Sequence, residues 1–282
     1  MTIARDHAPS HNGSPGVKNV LITGCSSGIG RALAQVMARR GWRVFAGVRL
    51  VEHAPPGTTP VLLDVTNANQ IRAAREVIQA TAGRLDALVN NAGIPYGGPV
   101  ECLDLERVRQ LYEVNVFGVL GVTKEFVPLL RAAEGRVLNI GSVSGLVAMP
   151  FLSPYASSKF ALAAINDSLR VELNPWNIKV IDIVLGDVRT PVWEKASRHL
   201  DEMTPLLDRY AAFLPGVRKL LQPRGTSPQR VARALARILE VRRPSPRYFI
   251  GWPSRMALLL SWLPRRVRDW LMRTGLALGS NT

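Results

Sequence analysis

The sequence predicts an α/β protein built on a parallel sheet with helices on both faces. Short β-branched or apolar segments alternate with longer amphipathic ones, which is the pattern of successive βαβ units. Several short segments are apolar at consecutive positions, as expected for strands covered on both sides. A chain of 282 residues with 47% hydrophobic content is long enough to bury one large core of this kind.

Seven strands are predicted, and helical patterns lie between them. The strands are expected at residues 20–23, 43–48, 61–64, 87–90, 136–140, 179–184 and 248–251. The helices are expected at residues 29–40, 68–80, 105–115, 154–173 and 228–241. Between the second and third strands, residues 50–60 contain Pro55, Pro56 and Gly57, so a loop is expected there instead of a helix.

One domain is expected over residues 17–252, with segments of different character around it. Residues 1–16 are rich in His, Pro, Gly, Ser and Asn and lack the apolar region of a signal peptide, so they are expected to form a disordered tail. Residues 191–224 contain Trp193 and several prolines and are predicted to be an insertion of short helices. Residues 253–282 are predicted to form a basic, amphipathic extension.

The net charge of +15 is unevenly distributed along the chain. Residues 218–282 hold fourteen Lys and Arg against two Asp and Glu, whereas the rest of the chain is nearly balanced. No nucleic-acid module accompanies this charge, so a solvated Arg-rich surface is favoured over a nucleic-acid site. The only two cysteines, Cys25 and Cys102, lack metal-ligand spacing, which favours a reduced cytoplasmic location and no metal site.

A glycine-rich turn follows the first predicted strand and opens the first predicted helix. Its glycines, Gly24, Gly28 and Gly30, have the spacing G-x-x-x-G-x-G. Glycines at such a turn let the N–H groups at a helix N-terminus approach a pyrophosphate. A plain strand–helix connection is the alternative, but the position after the first strand of a βαβ pattern favours a dinucleotide site.

The end of the second predicted strand bears on which dinucleotide would bind. Sites of this kind use an acid there for a ribose 2′-hydroxyl, or an arginine for a 2′-phosphate. Arg49 follows the strand and Arg31 lies just after the glycine turn, whereas no acid stands at the strand end. NADP is therefore favoured, while Glu52 nearby leaves NAD open.

Ser142, Tyr155 and Lys159 form a candidate proton-transfer set. Tyr155 and Lys159 are four residues apart, so they share one face of a predicted helix. An ammonium beside a phenol favours the phenolate and is expected to lower the tyrosine pKa. Ser142, at a strand end, is expected to hold the oxygen on which the proton is exchanged. The alternative is a solvated pair, which is common on helix surfaces.

Over about residues 18–191 the chain closely resembles the short-chain dehydrogenase/reductase family. Five motifs occur in the family's order: Thr23 to Gly30, Asp64-Val65, Asn90 to Gly93, Asn115, and the set Ser142, Tyr155 and Lys159. The resemblance implies a three-layer, Rossmann-like fold with a doubly wound, seven-stranded parallel sheet. It also implies hydride exchange between a nicotinamide cofactor and an alcohol or carbonyl, in a homodimer.

The resemblance implies a role for each site residue. Tyr155 would be the general acid/base, and Ser142 would position the substrate oxygen. Lys159 would contact the nicotinamide ribose and lower the Tyr155 pKa, and Asn115 would hold a water in a proton relay. The implied cofactor-binding residues are Gly24, Ser26, Ser27, Gly28, Ile29, Gly30, Arg49, Asp64, Val65, Asn91, Ala92, Gly93, Tyr155, Lys159, Gly186, Val188 and Thr190.

The substrate is expected to be a hydrophobic alcohol or ketone. Residues 43–49 and 95–101 resemble the branch with 17β-hydroxysteroid and retinol dehydrogenases, which implies steroid- or retinoid-like substrates and lipid metabolism. Ser142 and Tyr155, with Phe151 and Trp193, are the expected substrate residues, although packing explains Phe151 and Trp193 equally well. A ketoreductase of acyl-chain substrates and a non-catalytic NADP-binding sensor or scaffold are the alternatives. The complete Asn/Ser/Tyr/Lys set favours an enzyme.

The C-terminal extension carries a basic amphipathic pattern. After Pro264, the apolar residues Val267, Trp270 and Leu271 recur at helical spacing among several arginines. Such a helix can lie on an anionic membrane surface, so peripheral membrane contact is one expectation. Docking on the body of the protein or on a partner subunit is the other.

Overall fold

The computed structural model describes residues 16–190, Tyr210 and residues 225–275. Seven parallel strands form one sheet in the order β3-β2-β1-β4-β5-β6-β7. The strands are β1 Asn19–Thr23, β2 Arg43–Val48, β3 Thr59–Leu62, β4 Ala87–Asn90, β5 Arg136–Ile140, β6 Lys179–Leu185 and β7 Arg247–Ile250. The strand order changes direction between β1 and β4, so the sheet is doubly wound and the predicted fold class is confirmed.

Eight helices accompany the sheet in the described part of the chain. They are α1 Gly28–Arg39, α2 Ala68–Ala82, α3 Leu105–Tyr112, α4 Gly118–Ala132, α5 Ser153–Glu172, α6 Pro228–Glu240, α7 Trp252–Ser261 and α8 Arg265–Gly275. A π-helical turn, Glu113–Phe117, joins α3 to α4. None of these helices has both the length and the apolarity needed to cross a bilayer.

The core consists of two hydrophobic clusters, one on each face of the sheet. Helices α1 and α6 pack on the first face, and α2 and α4 contribute to the second. Alternate residues of β1 enter different clusters, because Val20 and Ile22 join the first and Leu21 the second. Burial on both faces explains why the strands are apolar at consecutive positions.

Most predicted elements are found with small shifts of their ends. The third strand begins and ends two residues earlier than predicted, at Thr59–Leu62. The expected loop at residues 50–60 is confirmed, since it holds only the short 3-10 turn Val51–His53 before β3 begins.

The helix α4 was not predicted, and the predicted third helix was too long. Gly118, Gly121 and Pro128 lie within α4 and are unfavourable residues in a helix interior. The helix forms because its buried face, which includes Val122 and Phe126, packs on the sheet. The third helix was expected to reach residue 115, but regular α-helix gives way to the π-turn at Glu113.

The predicted flanking segments are only partly described. The predicted tail, apart from Gly16, and the predicted insertion at residues 191–224, apart from Tyr210, lie outside the described residues. The predicted extension begins as α7. Its Pro253 packs against Gly186 in the loop after β6, so the start of the extension contacts the body of the protein.

Candidate active site

A cavity of about 560 Å³ lies where the carboxyl ends of the strands meet. Loops that follow β1, β2, β4, β5 and β6 line it, which is the usual ligand position in a doubly wound sheet. The predicted residues that line it are Gly24, Ser26, Ser27, Gly28, Ile29, Arg49, Asp64, Val65, Asn91, Ala92, Gly93, Ser142, Tyr155, Lys159, Gly186, Val188 and Thr190. The structure therefore gathers nearly the whole predicted set in one place.

The glycine turn has a geometry that side chains would disturb. Gly24 and Gly28 adopt φ angles of +70° and +57°, a region that favours glycine. Gly30 does not line the cavity; a Cβ added to it would lie 2.4 Å from the Nδ2 atom of Asn91 and from the carbonyl oxygen of Gly24. Gly30 therefore lets the first turn of α1 sit close against the loop.

Asn91 and Thr23 brace this turn from the neighbouring strand. The Nδ2 atom of Asn91 donates to the carbonyl oxygens of Thr23 at 2.8 Å and Gly24 at 3.2 Å. The Thr23 Oγ1 atom accepts from the backbone N–H groups of Asn91 at 3.0 Å and Ala92 at 2.9 Å. The side chain of Asn91 thus holds the glycine turn in position, and the same contacts place Asn91 in the cavity wall.

The N-terminus of α1 is open towards the cavity. Ser27 occupies the N-cap position, but its side chain makes no capping hydrogen bond, and the first turn contains no acidic residue. The free N–H groups and the helix dipole make such an end a site for an anionic group. Thr190, in the loop after β6, lies beside this turn, with its Cγ2 atom 3.4 Å from the position of a Cβ on Gly28.

At the far end of the cavity, Arg49 and Arg31 have different surroundings. Arg49 lines the cavity, is exposed, and has no hydrogen-bond or ion-pair partner in the described part of the chain. Arg31 instead donates to the carbonyl oxygen of His53 at 3.1 Å, which ties α1 to the turn after β2. Glu52 is not among the residues of the cavity wall. The guanidinium available to a ligand there is therefore that of Arg49.

Asp64 lines the cavity and also shapes the turn that follows it. Its Oδ1 atom accepts from the backbone N–H of Thr66 at 2.9 Å and from the Thr66 hydroxyl at 2.7 Å. Val65 packs against Gly118 at the start of α4, where a Cβ would lie 2.8 Å from its Cγ2 atom. These contacts fix the part of the cavity wall that Asp64 and Val65 form.

Lys159 is buried at the base of the cavity. Its Nζ atom donates to the carbonyl oxygen of Ile140 at 2.9 Å and lies 5.8 Å from the centre of the Tyr155 ring. Burial lowers the pKa of Lys159 to about 8, although the negative charge of Asp182 opposes this shift. A group with this pKa is mostly protonated at neutral pH and changes charge just above it.

The pKa of Tyr155 shifts in the direction opposite to the one expected from the sequence. Burial raises the pKa of Tyr155, and a hydrogen bond with Ser142 only partly opposes this. The net shift of the Tyr155 pKa is therefore upward in the protein without cofactor, and the lowering expected from Lys159 stays a prediction. The physical reason is that loss of solvent around a phenolate outweighs the favourable contacts present.

The turn after β5 positions the Ser142 side chain so that its hydroxyl group can form a hydrogen bond with Tyr155. Its Oγ atom accepts from the backbone N–H of Ser144 at 3.1 Å, in the 3-10 turn that follows β5. Because a hydroxyl has one proton to donate, that proton remains for Tyr155 or for a bound oxygen. The two hydroxyl groups form the hydrogen bond that favours the Tyr155 phenolate.

Asn115 lies behind the cavity in the π-turn and is 1% exposed. Its Oδ1 atom accepts from the N–H of Ile94, its Nδ2 atom donates to the carbonyl oxygen of Ile94, and both distances are 2.9 Å. Nδ2 also donates to the Ser158 Oγ atom at 3.2 Å. The side chain therefore connects the loop after β4 to α5, and its implied role in holding a water stays a prediction.

Comparison with known proteins agrees with these features. A family model described as short chain dehydrogenase matches residues 18–201. The chain belongs to this family. It is 36% identical to human 17-beta-hydroxysteroid dehydrogenase type 1 over 82% of this chain and 76% of that protein. It is 32% identical to a 3-ketodihydrosphingosine reductase of Bacteroides thetaiotaomicron over 90% of this chain and 96% of the relative. It is 38% identical to an NADPH-dependent 3-dehydrocapnine reductase of Ornithobacterium rhinotracheale over 64% and 69%.

This short-chain dehydrogenase is accordingly an oxidoreductase that acts on CH–OH groups or the matching carbonyls.

The loop after β6, which contains Gly186 and Asp187, is held in place by the segment that precedes α6. Val188 pairs with Thr226, and the N–H of Thr226 donates to the carbonyl oxygen of Asp187 at 3.0 Å. Gly225 permits this approach, because a Cβ there would lie 1.8 Å from that oxygen.

An apolar cluster adjoins Tyr155 in this dehydrogenase. Its buried members are Tyr96, Leu111 and Leu152, and Phe151 and Tyr155 pack against them. Phe151 does not line the cavity; its ring meets Tyr210 edge to face, with 6.1 Å between centroids. Phe151 therefore packs in this cluster, and its expected contact with substrate stays a prediction. Trp193 lies outside the described residues.

Asp182 is a residue that the sequence interpretation missed. It is 3% exposed within β6, and its Oδ2 atom accepts from Nε of Arg247 at 2.7 Å. A Cβ on Gly141, next to Ser142, would lie 2.8 Å from its Oδ1 atom. A single acid in the otherwise apolar stretch after Lys179 was the available signal.

Other missed residues line the cavity without a sequence signature. Ile94 directly follows the predicted Asn91 to Gly93 segment, so continuing that segment by one residue would have found it. Gln110 and Glu113 reach the cavity from α3 and the π-turn. Their position depends on how α3 and the π-turn pack in the fold, which a local sequence pattern does not show.

Proposed function

We propose that the protein uses NADPH to reduce a hydrophobic ketone, or forms the ketone from the matching alcohol. The observation that carries this is the partly buried Tyr155 in the cavity wall, hydrogen-bonded to Ser142 and close to the Lys159 ammonium. The coarser statement, an oxidoreductase of the short-chain dehydrogenase family, follows from the family match.

The cavity residues fit NADP. Gly30 allows the close packing of α1 against the loop that shapes the glycine turn, and the uncapped N-terminus of α1 offers free N–H groups to a pyrophosphate. Arg49, without a partner among the described residues, suits a 2′-phosphate. The NADPH-dependent relative from Ornithobacterium rhinotracheale supports the same choice. When bound, the nicotinamide supplies or accepts the hydride.

The protein's own part of the reaction is to manage a proton. In the reducing direction, the Tyr155 hydroxyl donates its proton to the substrate oxygen, and in the oxidising direction the phenolate takes it back. Ser142 donates a hydrogen bond to the same oxygen and orients it. The Lys159 ammonium, whose pKa is about 8, stabilises the phenolate that forms.

The substrate class is supported by the apolar cluster beside Tyr155. Tyr96, Leu111 and Leu152 are buried, and Tyr155 packs against them, so the proton donor lies in apolar surroundings that suit a substrate with little polarity around its carbonyl. Two relatives point the same way, since one is named for a hydroxysteroid and the other for a keto form of dihydrosphingosine. We infer a bulky lipophilic ketone.

The test is a substrate panel followed by the absorbance of NADPH. Steroid ketones, long-chain ketones and retinal would be compared with small water-soluble ketones, with NADH replacing NADPH in a parallel series. The proposal predicts the highest kcat/KM for a bulky lipophilic carbonyl with NADPH. Turnover confined to small polar carbonyls would contradict the substrate class. NADPH binding without turnover on any carbonyl would favour a sensor or scaffold.

A further inference from the structure

Helices α7 and α8 carry apolar side chains on surfaces that the protein does not cover. In α7 the buried residues Ser254 and Ala257 mark the side that faces the protein. On the opposite side, Trp252 is 73% exposed, and Met256 and Leu259 follow at helical spacing and are also exposed. The small residues thus face inward and the large apolar ones outward, the reverse of an ordinary surface helix.

Exposed apolar residues continue in α8. Val267, Trp270 and Leu271 share one side of this helix, and Trp270 is 62% exposed. Trp262, in the turn between the helices, is 75% exposed. The α7–α8 surface is defined by its exposed apolar residues Trp252, Met256, Leu259, Trp262, Leu263, Val267 and Trp270. So many exposed large apolar residues within two successive helices indicate a surface that binds a partner.

Positive charge accompanies this surface. Five arginines lie on α7 and α8, against the single acid Asp269, and none of them forms an ion pair within the described part of the chain. The arginines are Arg255, Arg265, Arg266, Arg268 and Arg273. A second copy of this chain would bring the same excess of positive charge to the contact, so a subunit interface here would place like charges together. Exposed tryptophans with unpaired arginines instead match the interfacial layer of an anionic bilayer.

We propose that the α7–α8 surface binds peripherally to membranes that contain anionic phospholipids. The tryptophan and leucine side chains enter the interfacial layer, and the arginines contact lipid phosphates. The first turn of α7 adjoins the active site, since Pro253 packs on Gly186 and α7 contacts the Val143–Gly145 turn that follows Ser142. Binding would therefore bring the cavity close to the bilayer, from which a lipophilic substrate can enter.

Co-sedimentation of the full-length protein with vesicles tests this proposal. Vesicles of phosphatidylcholine with phosphatidylserine would be compared with phosphatidylcholine alone, at low and physiological salt. The variant W262A/W270A and the variant R265Q/R266Q/R268Q remove apolar and charged parts of the surface. Because four of the five side chains are exposed and Arg268 is partly exposed, the fold is expected to persist. Each variant should lose at least about tenfold in partition onto anionic vesicles.

Matched controls lie elsewhere on the protein. Trp176→Ala removes an exposed tryptophan near the start of β6, and R242Q/R243Q removes two exposed arginines between α6 and β7. Both should sediment as the unaltered protein does. Absence of binding to anionic vesicles, or equal binding by the two surface variants, would overturn the proposal. A change of oligomeric state in W262A/W270A with vesicle binding intact would do so too, since it would assign the surface to a subunit contact.

This inference is separable from the proposed catalytic function. Turnover of a water-soluble ketone by the two surface variants should equal that of the unaltered protein. Loss of vesicle binding with unchanged turnover therefore concerns the surface alone. Failure to find any carbonyl substrate would concern the active site alone.

Discussion

The Nζ atom of Lys159 donates a hydrogen bond to the carbonyl oxygen of Ile140 at 2.9 Å, deep beneath the cavity. The contact joins α5 to the end of β5, directly before the turn that carries Ser142. Lys159 is 7% exposed, so its charge is held with little solvent. A buried ammonium lowers the stability of the fold, so its presence beside Tyr155 indicates a functional role for Lys159.

The first prediction concerns the stability cost of this charge. The folded-state pKa of Lys159 is about 8, below the ordinary value of 10.5, so below about pH 8 both the folded and the unfolded states carry the proton. Replacement of Lys159 by Met should raise the free energy of unfolding by about 1–3 kcal/mol at neutral pH, while activity falls.

The pH dependence of this effect has a defined sign. Between about pH 8 and 10.5 the unfolded chain binds more protons than the folded one, so stability of the unaltered protein rises with pH. The advantage of Lys159→Met should therefore shrink across that window. Urea unfolding at about pH 7 and about pH 9.5 measures both values. Lys124→Met, at an exposed site on α4, should show no such pH dependence.

The second prediction concerns the glycine turn. Gly30→Ala would place a methyl group 2.4 Å from Asn91 Nδ2 and the Gly24 carbonyl oxygen, so the turn must open. We expect loss of NADPH binding by at least about tenfold and lower stability, by calorimetry and urea unfolding. Gly121→Ala, in α4 with its nearest contact at 3.6 Å, is the matched control and should not weaken binding. Equal affinities for both variants would refute the assigned role of Gly30.

The third prediction concerns the choice of cofactor. Arg49→Ala removes the available guanidinium at the far end of the cavity. The KM for NADPH should rise about tenfold or more, while that for NADH should change less than about twofold, because NADH lacks the 2′-phosphate. Steady-state kinetics with both cofactors measure this, and Arg72→Ala, at an exposed site on α2, serves as control. A similar rise for NADH would show that Arg49 does not read the phosphate.

The fourth prediction concerns the ion pair behind the site. Asp182→Asn leaves the Arg247 guanidinium without its 2.7 Å carboxylate partner. The free energy of unfolding should fall by about 1–3 kcal/mol, and the Lys159 pKa should fall further because Asp182 raises it. Asp167→Asn, at an exposed acid 4.0 Å from Arg247, should change stability by less than about 0.5 kcal/mol. Equal effects of the two variants would contradict the burial argument.

The local parts of the site could be predicted from the sequence. The four-residue spacing of Tyr155 and Lys159 places both residues on one side of α5 whatever surrounds them. Gly24 and Gly28 indicate a turn because glycine readily adopts the positive φ angles found there. The strand pattern was visible because both faces are buried. These features depend on near neighbours in the chain.

What could not be predicted depends on tertiary packing. Pro128 argued against a helix, yet α4 forms because its apolar face is buried on the sheet. The upward shift of the Tyr155 pKa follows from the exclusion of solvent, which a sequence pattern does not show. The role of Asp182 could not be recognised in the sequence, because its partner Arg247 lies on the neighbouring strand β7 and is distant along the chain.

The most direct measurement of the central claim separates cofactor binding from proton transfer. Tyr155→Phe keeps the ring and removes the hydroxyl that exchanges the proton. We predict an NADPH dissociation constant within about twofold of the original and a kcat lowered by about 10²–10⁴. Tyr248→Phe, on β7, should leave both values unchanged. Ketone reduction by Tyr155→Phe at an undiminished rate would contradict the account.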